Sequence, residues 1–162
     1  MTPRSNSRGR STSRAVKAAL SVAAASATIA LHADLAGAAG ETPAKAYILH
    51  CVGCHMEDGM GAEIGQVPPI PGITGHFLKH PRGREYLIHV PGVVNAGLPD
   101  DETAAVLNYV LERWAKPDMP ADAKPFTAEE VHELRKTKID DITVLRQQIK
   151  DDLAKEGITL TK

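Results

Sequence analysis

The sequence predicts an all-α fold. Apolar residues recur at three- and four-residue intervals in several stretches, and no stretch alternates apolar and polar residues as a half-buried strand does. Gly and Pro crowd into residues 56–75 and Pro into 117–126, leaving those segments as connectors between helices.

Pro43 through Cys54 reads as the first helix of the folded part. Glu41 or Thr42 can cap it, Pro43 suits its first turn, and Ala44, Tyr47 and Ile48 form its apolar stripe, with Tyr47 as a packing residue. Gly83 through Val90 is a short helix that stops near Pro91-Gly92. A stronger one opens at Pro99-Asp100-Asp101-Glu102, with Asp100 as its cap, and Pro117 ends it. Ala104, Leu107, Val110, Leu111 and Trp114 are its buried stripe. Thr127 to Glu130 has the Thr-x-x-Glu pattern of a capping box and starts another helix. Ile142, Leu145, Ile149 and Leu153 form the stripe of a last helix that stops at Gly157.

The first helix runs into Cys51-Val52-Gly53-Cys54-His55, which contains both cysteines of the chain. C-x-x-C-H reads as a site of covalent haem attachment. Two thiols about one helical turn apart add to the two vinyl groups of a haem, and the adjacent imidazole binds the iron. A closed zinc site needs four ligands, and there is no second Cys pair. A thioredoxin-like redox pair belongs near a βαβ pattern, which is missing here. A disulfide across so short a loop is strained. The expected site residues are therefore Cys51 and Cys54 for thioethers and His55 for the proximal iron bond, holding one haem c, with the carbonyl of Pro68 or Pro69 placed to accept a hydrogen bond from the His55 ring.

Residues 1–39 have the pattern of a signal peptide. Five basic residues, Arg4 to Lys17, precede a run of small and apolar residues from Ala18 to Leu31, and Ala36 to Ala39 offers small residues for cleavage. That run is rich in Ala and Ser and is interrupted by His32 and Asp34, so it makes a poor permanent membrane span. No Arg-Arg pair stands there, which favours the general export route. Residues 1–39 hold five of the 19 basic residues and one of the 20 acids, so the remainder carries a net charge near −5. That balance argues against nucleic acid and for steering toward a basic partner surface.

Residues 41–117 resemble a class I c-type cytochrome. The similarity rests on the helix entering Cys51 to His55, on Glu57-Asp58-Gly59-Met60-Gly61, on the proline loop Pro68 to Pro71, and on Leu98-Pro99-Asp100-Asp101-Glu102 followed by Ala105 to Val110. It implies a helical haem domain, residues 40–117, that passes single electrons; residues 118–162 exceed that domain as a C-terminal helical extension whose apolar faces either pack back on it, the simpler expectation, or dock a partner such as a larger dehydrogenase. It also implies haem attachment outside the bacterial cytoplasmic membrane. The family usually supplies a Met before its last helix as sixth iron ligand, and Gly92 to Leu98 contains none. Three possibilities stand: Met119, which precedes Pro120; His89, on the segment that feeds the distal loop; or an open side near Asn95.

The expected function is that of a soluble periplasmic electron carrier, not an enzyme. It works between redox proteins such as a dehydrogenase and an oxidase or reductase. An open-site haem protein for a diatomic ligand or peroxide, and a haem subunit of a periplasmic dehydrogenase, are the alternatives.

Overall fold

The computed structural model of the chain describes Met1 and residues 41–160. The export-signal reading, Met1 apart, falls on residues outside them. The described residues are helical and contain no strand; the one β-like feature is an isolated bridge between Ala62 and Val67. No helix among them is long and apolar enough to cross a membrane.

The first helix starts where the sequence places it. Thr42 Oγ1 accepts the Lys45 N–H at 3.3 Å, and Pro43 follows at the first helical position. It does not run unbroken to Cys54. Helix α1 spans Pro43–His50, the backbone bends at Cys51 (φ −121°, ψ −34°), and a single turn, α2 (Val52–His55), carries the rest of the motif. After an irregular loop come α3 (Thr74–Phe77), α4 (Gly83–His89) and α5 (Pro91–Asn95). Pro91 does end α4, but it also opens α5, because its fixed φ and missing N–H cost nothing in a first turn.

Helix α6 (Asp100–Val110) is the axis of the packing. It buries Ala104, Leu107 and Val110 of the expected stripe, and Leu111 just past its end. Two details differ from expectation. Pro99 stands at the cap with no side-chain bond, and the Asp100 carboxylate turns instead to His132 and Arg135. The helix also does not run straight to Pro117. It widens into a π turn over Leu111–Ala115 and tightens into a 3₁₀ turn over Lys116–Asp118. The ladder changes register ahead of Pro117, which has no N–H to offer it. Gly75 of α3 lies against this stretch, and a Cβ there would come within 2.4 Å of the Ala115 carbonyl oxygen.

The C-terminal segment packs onto the same core. Helix α7 (Ala128–Lys136) lies on α6 and α4, and α8 (Ile142–Lys155) lies on α4. Val131, Leu145, Ile149 and Leu153 are buried in the cluster that contains Tyr47, Ile88 and Leu107. The capping pattern at Thr127 is half realised. Thr127 Oγ1 accepts the Glu130 N–H at 3.2 Å, while the Glu130 carboxylate goes to the Arg84 guanidinium on α4.

Polar groups fix the seam between the two parts. The Asn108 amide holds both backbone groups of Phe126, donating to its carbonyl at 2.9 Å and accepting its N–H at 2.7 Å. Arg84 lies 3.8 Å from the Phe126 ring centre and donates to the Lys124 carbonyl. Arg135 on α7 reaches the Leu98 carbonyl at 3.0 Å and the buried Thr103 hydroxyl at 2.9 Å. These bonds join the tail to α4 and α6, so tail and core should unfold together. Ile149→Ala in α8 should lower the unfolding free energy of the whole domain by about 2–5 kcal/mol. Denaturant unfolding followed at the haem and in the far-ultraviolet should show one shifted transition by both probes.

Candidate haem site

The motif is held by one carbonyl. Cys51 N–H donates to Tyr47 O at 2.9 Å, closing α1, and the Cys51 carbonyl then accepts the N–H of Cys54 at 3.1 Å and of His55 at 2.9 Å. This turn sets both thiols and the imidazole on one short piece of backbone. Cys51 is half-buried, Cys54 is exposed, and neither is in a disulfide. Burial pushes the Cys51 thiol up, and the neighbouring Cys54 adds to the shift, so the thiol is neutral at pH 7. Burial pushes His55 down, which leaves a neutral imidazole, the form that binds metal.

The loop after the motif closes back on it. His55 O accepts the Gly61 N–H at 3.1 Å, and Gly59 O accepts the Ile70 N–H at 2.8 Å. Gly61 has φ +74°, and a Cβ there would sit 2.3 Å from the Val67 carbonyl oxygen and 2.8 Å from that of Pro68. Only glycine lets the proline loop approach this closely. A hydrogen bond from the His55 ring to the carbonyl of Pro68 or Pro69 is the arrangement the sequence suggests, and it is not made: the Pro68 carbonyl lies against Gly61 instead. His55 Nδ1 is buried without a hydrogen-bond partner.

Behind the loop stands an aromatic cluster. Tyr47 and Trp114 have ring centres 4.7 Å apart, and Tyr109 meets the Trp114 edge at 5.9 Å. Tyr47 is more than a packing residue. Its hydroxyl, pushed up to about 12 mainly by burial, stays protonated and donates to the Met56 carbonyl at 2.6 Å. The position of Tyr47, four residues before Cys51, is the one signal in the sequence for this tie.

These residues fit a covalently attached haem. Two free thiols a turn apart stand beside a neutral imidazole. In the flanking sequence Ile48, Leu49, Met56, Met60 and Ile64 are exposed apolar side chains, which an apolar macrocycle would cover. Among the described residues His, Cys, Asp and Glu form no group of three or more that could hold a bare metal ion, so the cysteine pair has no partners for a closed zinc site.

The other expected ligands stand apart from this turn in their contacts. His89 ends α4 with Nδ1 2.9 Å from the Glu85 carbonyl oxygen and Nε2 2.9 Å from that of Thr137. Met119 follows the 3₁₀ turn, partly buried against the core. Asn95 ends α5 and is exposed.

Two proteins named cytochrome c-552, both from Thermus thermophilus, are each 38% identical to this chain over an alignment 125 residues long. The match takes in 66% of this chain and 94% and 83% of the two relatives. The chain belongs to the c-type cytochromes. Haem c, covalently bound, is its cofactor, and electron carriage between redox proteins is its general role. No protein-family model matches the chain.

The tight loop of this cytochrome should tolerate no side chain at its closest approach. Gly61→Val combines a positive φ with a clash against backbone. It should destabilise the holoprotein by more than about 1 kcal/mol. Gly53→Ala, with open space around the added methyl, is the control and should fall well below that in the same denaturant series.

Proposed function

We propose that this cytochrome is an exported, periplasmic single-electron carrier whose haem is attached through Cys51 and Cys54 and ligated on its proximal side by His55. The observation that carries the reading is the single turn on which the Cys51 carbonyl holds both free thiols beside a neutral imidazole. When bound, the haem supplies a reversible one-electron couple at iron. The chain does the rest. The Cys51 carbonyl holds the turn, the Tyr47 hydroxyl and the Gly61 N–H pin the loop beside His55, and the aromatic cluster keeps water from its back.

Residues 1–39 are read as a signal peptide, residues 40–117 as the haem domain and residues 118–162 as its helical extension. The net charge near −5 of the part after the signal favours partners with a basic docking face, and salt should weaken such encounters. The partners proposed are periplasmic dehydrogenases, oxidases or reductases.

Haem stain should survive on a denaturing gel and resist extraction into acidified organic solvent. Cys51→Ala with Cys54→Ala should abolish the stain and most of the folded protein, because a cofactor that binds the folded state stabilises it. Haem extracted intact from the unaltered protein contradicts the proposal. Mass spectrometry of the exported protein should place its N-terminus at residue 38–40; a retained Met1 in a membrane fraction would replace the soluble carrier with an anchored one.

A further inference from the structure

Haem iron has two axial positions, and His55 takes one. In an electron-carrying c-type haem the other face is commonly closed by a thioether sulfur or an imidazole nitrogen. Among residues 41–160 each His other than His55 has a polar partner, Met119 is packed against the core, and Met56 and Met60 are exposed beside the motif.

Met56 and Met60 belong to the loop that folds onto His55 itself. Tyr47 Oη holds the Met56 carbonyl, and the Gly61 N–H holds the His55 carbonyl. Both therefore sit within five residues of His55 on backbone that is tied to it. Met119 is packed against the core, and the residue before it is anchored: Asp118 accepts the Gly72 N–H at 2.8 Å and faces His76 Nε2 at 3.5 Å. His80 accepts the Arg82 N–H on Nδ1 at 3.1 Å and meets Asp152 with Nε2 at 3.3 Å. His50 faces Glu41, and His132 faces Asp100. His89 has a backbone carbonyl at each ring nitrogen, one of them from the tail.

The link between α5 and α6 offers no replacement. It is only Ala96, Gly97, Leu98 and Pro99, with Gly97 at φ +66°. The Leu98 carbonyl is taken by Thr103 Oγ1 and Arg135 Nη2, so tail and core together fix the link. The residues before it, Val93, Val94 and Asn95, hold no strong ligand for iron, and Val94 stays exposed. The alignment agrees with a shortened chain. Two-thirds of 162 residues is fewer than 125, so the Thermus relatives carry residues within the matched span that this chain lacks.

We propose that no side chain among residues 41–160 of this cytochrome binds iron on the face opposite His55, and that this face takes a small π-accepting diatomic ligand, carbon monoxide or nitric oxide, when the iron is reduced. The proposal rests on haem attachment at Cys51 and Cys54 with His55 as proximal ligand. A ligand that binds one oxidation state must shift the redox equilibrium toward that state, so the same face makes the carrier responsive to the gas.

The test is the spectrum of the purified holoprotein. The oxidised protein should be high-spin by electron paramagnetic resonance and absorption. The reduced protein should bind one carbon monoxide per haem with a shift of its strongest absorption band. Met119→Leu and His89→Gln should leave both results unchanged. A low-spin oxidised protein overturns the proposal even if carbon monoxide later binds. Conversion to high-spin in Met119→Leu or in His89→Gln then identifies the ligand, and a low-spin form unaffected by either also contradicts it. A protein without covalent haem overturns this proposal and the attachment site together, whereas covalent haem with a low-spin iron overturns this one alone.

Discussion

Two thiols and an imidazole must be held within one turn of backbone, and a single carbonyl does it. Cys51 O accepts from both Cys54 and His55, after the Cys51 N–H has closed α1 onto Tyr47. Much of what surrounds the turn serves that arrangement. Tyr47 packs against Trp114 beyond the end of α6 and ties down the chain after His55. Gly59 packs beneath the Trp114 indole, where an added Cβ would lie 3.2 Å from the ring. The break at Cys51 shortens α1, but it gives the motif a turn of its own, fixed at both ends.

The C-terminal segment changes what the rest of the domain can do. A helix pair with apolar stripes needs a surface, and α7 and α8 find it on α4 and α6. Their apolar faces are spent inside the chain, which removes the reason for casting the tail as a docking element for a larger dehydrogenase. The tail also reaches the segment that precedes α6: Arg135 holds the Leu98 carbonyl, and the Thr137 carbonyl meets His89. A link fixed from outside can be short and still keep its shape.

Much of this was legible in the sequence, for physical reasons. The C-x-x-C-H turn and the stripes at Ala104, Leu107 and Val110, and at Leu145, Ile149 and Leu153, are local patterns with one geometric meaning each. The Thr42 and Thr127 caps are equally local, because a hydroxyl three residues before a free N–H has few other uses. What stayed hidden depends on distant partners. Asp100 looks like a cap until His132 and Arg135, more than thirty residues away, claim its carboxylate. Glu130 looks like half of a capping box until Arg84 takes it. The Pro68 carbonyl looks suited to the His55 ring, but Gly61 lets that loop close too tightly for it.

The central claim is that the only two cysteines of the chain are consumed by one haem. Thiol titration of the purified protein, denatured in the presence of a phosphine reductant and then freed of it, tests this directly. Reductant opens a disulfide but leaves a thioether intact. The account predicts no titratable thiol with haem retained on the unfolded chain. Two titratable thiols per chain would contradict it.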